Sequence, residues 1–189
     1  TSAVNLKQAR SDFEDGKITS AEYEKAQNQV TVETVLEQEQ SGIDLITDGQ
    51  IKWDDQQTYF TNKIRSFERG DLIRYFDTNF LYRRPILKAK PEKSQNFVTD
   101  DFNFAKTLAK KPLKAVIIGP YSLAKFCLDE FFKNPKEFTL TLADFLADEI
   151  RTLENAGAEI IQINEPWIVQ PEADLALFNE AFNKLTATR

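Results

Sequence analysis

Three short apolar segments, at residues 43–47, 113–118 and 159–164, each follow a long amphipathic stretch and a chain breaker: Gly42, Pro112 or Gly157. Ile43-Asp44-Leu45-Ile46-Thr47, Leu113-Lys114-Ala115-Val116-Ile117-Ile118 and Glu159-Ile160-Ile161-Gln162-Ile163-Asn164 are rich in β-branched residues and short enough to be buried strands. Helices alternating with such strands restrict the chain to the α/β class with a parallel sheet.

The helices announce their own ends. Thr19-Ser20-Ala21-Glu22 has the form of a capping box, and its helix should carry Tyr23, Ala26, Val30, Val35 and Leu36 inward as far as Gly42. Asn134-Pro135-Lys136-Glu137 offers an N-cap, a proline in the first turn and an acid three residues after the cap. Leu142, Phe145, Leu146, Ile150 and Leu153 then fall on one stripe. Ala3, Leu6, Ala9 and Phe13 predict a first helix. Phe102, Ala105 and Leu108 predict another over 99–110, and Leu175, Phe178 and Phe182 a last one over 174–184. Around Asp77-Thr78-Asn79, aromatic runs predict a hairpin insertion at about 70–90, with a loop over 90–100. We expect a single domain over residues 1–189.

Composition removes several function classes. A net charge of −6 disfavours nucleic acid, whose phosphates need a cationic face. No run approaches the roughly 20 apolar residues of a membrane span, and no signal segment opens the chain. One cysteine makes no internal disulfide, which predicts a cytoplasmic protein. With no histidine, the chain cannot itself supply a His/Cys zinc site or a histidine-activated nucleophile. The missing methionine predicts a fragment of something longer.

In parallel α/β folds ligands collect at the carboxyl ends of the strands. Those ends here are Asp48-Gly49-Gln50 with Lys52-Trp53-Asp54-Asp55, then Gly119-Pro120-Tyr121-Ser122, then Asn164-Glu165-Pro166-Trp167. Carboxylates, amides and aromatics around one mouth suit a small zwitterion better than a phosphate. The same residues equally read as caps and loop ties, with Asp48-Gly49 as a simple turn.

Phe13-Glu14-Asp15-Gly16-Lys17-Ile18, Gly42-Ile43-Asp44-Leu45-Ile46-Thr47-Asp48-Gly49-Gln50, Ile118-Gly119-Pro120-Tyr121 and Ile161-Gln162-Ile163-Asn164-Glu165-Pro166 occur in an order that resembles cobalamin-independent methionine synthases. The hairpin and Trp53-Asp54-Asp55 resemble the short, archaeal-type branch of that family. The resemblance implies a (β/α)8 TIM barrel that passes a methyl group to the thiolate of homocysteine in methionine biosynthesis. The donor it implies is a methylated folate, a related pterin or a methylated corrinoid protein. It also implies a zinc held by one His, two Cys and a Glu from later strands, none matched here. Cys127 reads as a small buried residue.

A barrel of about 250 residues and a missing Gly-Ser-Tyr/Phe-Pro opening motif place this chain at roughly strands two to five. The resemblance assigns Gln50, Asn164 and Glu165 to the amino acid, with Asp48 in support and Trp53 and Tyr121 toward the donor. Gln50 stands where the family has Glu, and Asn164 where it has Asp, so two charges become neutral amides. A non-catalytic module of the same barrel family, working with a separate catalytic chain, is the alternative. Arg83-Arg84-Pro85 reads as a clamp for an acidic tail or as a solvated hairpin edge. The cluster Lys106, Lys110, Lys111 and Lys114 reads as structural.

Overall fold

The computed structural model describes residues 4–187; Ala3, expected in the first helix, lies outside them. Helix α1 (Leu6–Glu14) is capped by Asn5 and α2 (Ser20–Gln40) by the Thr19/Glu22 box, both of whose hydrogen bonds form. Phe13 remains 40% exposed and stacks on Tyr23, so α1 lies flat on α2 and contributes no buried residue. Val30, Thr31 and Val35 are the buried residues of α2; Leu36, expected inward, is 41% exposed.

After the short helix α3 (Gln56–Thr61), β1 (Ile64–Arg74) and β2 (Leu81–Lys93) form one long antiparallel hairpin. The hairpin extends past the expected 70–90 at its base, so residues 90–93 are strand and not loop. Register shifts between Arg65 and Phe67 and between Arg69 and Leu72 let it bend over the rest of the fold. The two-residue strand β4 (Leu128–Asp129) adds parallel to β2.

Helix α4 (Thr99–Leu108) leads into β3 (Lys114–Ile118), and α5 (Pro120–Phe126) follows that strand directly. Helix α6 (Pro135–Asn155), capped by Asn134 as its sequence predicts, leads into β5 (Ile160–Asn164). Strands β3 and β5 run parallel and in register from Lys114↔Ile160 to Ile118↔Asn164. The expected strand over 43–47 shrinks to a parallel bridge at Ile46 beside Leu113. The Ile46 N–H donates to Pro112 O and its carbonyl accepts from Lys114 N–H, each at 3.0 Å. The next residue is tied to α2, the Gln38 amide accepting Thr47 N–H at 3.0 Å and donating to its carbonyl at 2.9 Å.

A short 3-10 turn (Pro166–Val169) separates β5 from α7 (Leu175–Thr186). Its buried stripe is Leu177, Ala181 and Leu185, while Leu175, expected inward, is 55% exposed. Asp174 fixes that phase by capping Leu177 N–H at 3.0 Å, and α7 packs against α5 and α6. One apolar cluster runs from Phe60 and Leu87 through Ile117 and Ile118 to Phe138, Leu142 and Leu153. The α/β class is therefore observed. The described residues form two small sheets, a parallel pair and a mixed three-stranded sheet, which do not close into a barrel. No helix among them is long and apolar enough to cross a membrane.

Candidate functional site

The loop after Ile46 turns sharply to present its side chains. Gly49 has φ +80°, and a Cβ there would lie 2.6 Å from Thr34 Cγ2; Gln50 follows with φ +51°. The Gln50 amide donates to Asp48 Oδ1 at 2.8 Å. Burial, and after it the nearby Asp101 charge, hold the Asp48 carboxyl above the usual carboxylate range. Asp101 sits in the first turn of α4, where it pairs with Lys52 at 2.9 Å and accepts from the Tyr59 hydroxyl.

Trp53 stacks on Tyr59 and meets Phe60 edge-on, and Asp55 then caps α3 by accepting from Thr58 N–H at 2.6 Å. A pocket of about 600 Å³ opens here. Its walls come from the Gln50–Gln57 segment, the hairpin residues Tyr75, Thr78 and Phe80, and Val116, Gln162 and Asn164 on β3 and β5. Five of these lining residues are amides: Gln50, Gln56, Gln57, Gln162 and Asn164.

Of the six residues expected at the site, Gln50, Trp53 and Asn164 share this pocket. Asp48 stands behind Gln50 as its hydrogen-bond partner. Glu165 and Tyr121 are engaged elsewhere. The Glu165 carboxylate accepts from the backbone N–H groups of Tyr121 at 3.1 Å and Ser122 at 2.6 Å, which caps α5 across the chain. Tyr121 is fully buried, and its hydroxyl accepts from Asp174 N–H at 2.7 Å. That makes it a strut between α5 and the start of α7, away from the mouth.

Gln56, Gln57 and Gln162 were not singled out from the sequence. Gln162 carried a usable signal, since it lies two residues before Asn164 on one strand and so shares its face. Nothing local marked Gln57. Arg84, in the turn-side half of β2, donates to Cys127 O at 3.3 Å, and Lys106 donates to Ala156 O at 2.7 Å just past the end of α6.

No group of three or more His, Cys, Asp or Glu able to hold a metal occurs among the described residues. Cys127 is buried, and burial pushes its thiol well up, the reverse of what a thiolate ligand needs. With no histidine in the chain, the donor set does not fit a catalytic zinc.

The Asp48–Gln50 contact gives a direct prediction. Gln50→Glu replaces the donating amide with a second carboxylate against a buried one, and should cost about 1–3 kcal/mol at neutral pH. Thermal melts should show the loss shrinking on acidification, as one carboxyl of the pair takes a proton. An unchanged melting temperature at neutral pH would mean that the two side chains do not face each other.

The family model described as the cobalamin-independent synthase catalytic domain matches residues 2–180. The methionine synthases of Saccharolobus solfataricus and Sulfurisphaera tokodaii are each 31% identical over 170 residues, which is 89% of this chain and 51% and 50% of theirs. The chain thus spans about half the length of these curated relatives. A solved B12-independent methionine synthase from Shewanella sp. W3-18-1, in complex with selenomethionine, superposes with a TM-score of 0.80 at 19% identity, covering 89% of this chain and 50% of that one. The putative vitamin-B12 independent methionine synthase of Listeria monocytogenes gives 0.72 at 19% identity, over 95% of this chain and 56% of that one. At that identity the two structures speak for the fold. The match over nearly the whole sequence settles the rest: this chain belongs to the family of the cobalamin-independent synthase catalytic domain.

Proposed function

We propose that this chain forms the amino-acid-binding side of a homocysteine methyltransferase, which passes a methyl group to the homocysteine sulfur and yields methionine. The observation that carries the reading is the meeting of Gln50 and Asn164. These two positions, which the resemblance assigns to the substrate amino group, lie on separate strand-end segments yet line one pocket of about 600 Å³. Gln50 directs its NH2 to Asp48 and so offers its carbonyl oxygen to an ammonium N–H. Asn164 Oδ1 accepts from Gln162 at 2.8 Å and keeps a second lone pair for the same purpose. Asp48, one residue removed from the ligand, supplies the negative charge that the amides lack. Trp53 presents an aromatic wall toward the donor, for which we propose a methylated folate or related pterin. No observation favours the corrinoid protein that the resemblance also allowed. On this reading the barrel is completed, and the zinc held, by residues outside this chain.

The experiment is transfer of a labelled methyl group from 5-methyltetrahydrofolate to homocysteine by the protein as its gene encodes it, read as labelled methionine. Turnover that falls at least tenfold in Asn164→Leu, with folding intact, supports the reading. Absence of both turnover and homocysteine binding overturns it. A binding module serving a separate catalytic chain is the second reading, favoured by the missing histidine and the inert Cys127. It predicts homocysteine binding by calorimetry with no methionine formed.

A further inference from the structure

Gln57 is fully buried in α3 and lines the pocket, yet neither its Oε1 nor its Nε2 has a protein partner. Leaving both ends of a buried amide unpaired costs stability, so the arrangement calls for a reason. Trp53 Nε1 is a second buried, unpaired donor on the same pocket. The acids beside them are already engaged: Asp55 caps α3, and Asp54 pairs with Arg10 at 2.5 Å. The unpaired hydrogen-bonding atoms on this wall are thus neutral, with donors on Trp53 and Gln57 and acceptors on Gln56 and Gln57. Tyr75 and Phe80 bring flat apolar surface to the same space.

We infer that Gln57 is a specificity-determining residue that reads an uncharged, planar ring bearing a donor and an acceptor on adjacent atoms, as a lactam edge does. A primary amide matches such an edge with two parallel hydrogen bonds, and the Trp53 indole N–H adds a third point of contact. A carboxylate or ammonium in the same place would meet only half of the amide and keep its charge uncompensated. The inference rests on the proposed function in giving this wall to the methyl donor, while the amino-acid side is left to Gln50 and Asn164.

The test reads affinity and not turnover, so the two proposals fail separately. The protein as its gene encodes it is titrated with isocytosine, a single ring carrying a lactam edge, and with homocysteine, by ligand-observed NMR. Gln57→Met preserves volume and removes both polar ends; Gln57→Leu serves as the second variant if Met packs poorly. Isocytosine binding should weaken roughly tenfold or more, as expected when a buried hydrogen-bonding partner is lost. Homocysteine affinity should change less than about twofold, because the contacts proposed for it are made by Gln50 and Asn164 and not by Gln57. The melting temperature should rise by roughly 2–4 °C, since an unpaired buried amide gives way to an apolar side chain. Isocytosine that does not bind the wild type, or binds the variants equally well, overturns the inference even if methyl transfer is observed. A falling melting temperature in both variants would also overturn it, by showing that the Gln57 amide supports the fold.

Discussion

Glu149→Ala should lower global stability by about 3–5 kcal/mol, the range for removing one partner from a buried, hydrogen-bonded ion pair. Glu149 lies on α6 with no exposed surface, and five donors converge on it. Its Oε1 accepts from Val98 N–H at 2.8 Å, Thr99 N–H at 2.9 Å and the Thr99 hydroxyl at 2.7 Å. Its Oε2 accepts from Phe97 N–H and Lys93 Nζ, each at 2.9 Å. Helix α4 has no side-chain cap of its own at Val98, so Glu149 satisfies that helix start from α6. The same contact ties in Lys93, the last residue of β2, and so joins hairpin, α4 and α6 at one carboxylate. Truncation would leave backbone donors and a half-buried ammonium without partners.

The pH dependence follows from the same geometry. Burial alone would raise the Glu149 carboxyl, but hydrogen bonds from Phe97, Lys93, Thr99 and Val98 outweigh it and hold it below the ordinary range. A carboxyl lowered by folding contributes stability fully above its unfolded pKa and loses it as pH falls through the folded value. Urea unfolding of the wild type should therefore weaken on acidification below about pH 4.5, while Glu149→Ala shows a flatter profile there. Parallel profiles for the two proteins would place the acid sensitivity elsewhere.

Features written in neighbouring residues were readable from the sequence; those made by distant partners were not. The Thr19 and Asn134 caps act within three residues, so the starts of α2 and α6 match their sequence signals. Strands β3 and β5 are apolar, bounded by breakers and correctly placed. Residues 43–47 have the same composition, yet they pair only through the Ile46 bridge, and Gln38, from the helix before, holds the Thr47 backbone. The inward face of α7 was misread by one position because Asp174 and the surface of α5 and α6 set its rotation. At the candidate site, the strand-end rule brought Gln50, Trp53 and Asn164 together, and they line one pocket because their places follow from where strands stop. It could not find Gln57, buried on a six-residue helix, or foresee that α5 would engage Glu165.

Glu165 carries the second large effect. Helix α5 starts with Gly119 as its cap and Pro120 in its first turn, so neither a cap side chain nor a proline N–H is available. The backbone N–H groups of Tyr121 and Ser122 instead meet the two oxygens of Glu165, one each. Glu165→Ala should cost about 2–4 kcal/mol by urea unfolding, the worth of two charge-assisted bonds to a buried helix start. Glu165→Gln keeps one acceptor and should cost about half as much. Gly119→Ala tests the same contact from the other side. Its Cβ would fall 2.2 Å from Glu165 Cδ, so the carboxylate must leave and about 1–3 kcal/mol should be lost. In the Glu165→Ala background that glycine substitution should cost little more, since nothing is left to displace. Burial, set against the hydrogen bonds from Ser122 and Tyr121, leaves the Glu165 carboxyl raised. A raised carboxyl makes the folded state bind its proton more tightly than the unfolded chain does. Its share of stability is thus greatest below the unfolded pKa and declines as pH rises toward the folded one, opposite in sign to Glu149. Because both oxygens are engaged within the protein, Glu165→Gln should leave homocysteine affinity within about twofold of the wild type. If affinity collapses while the melting curve stays put, Glu165 meets the substrate amino group directly, and the cap on α5 is the lesser of its two roles.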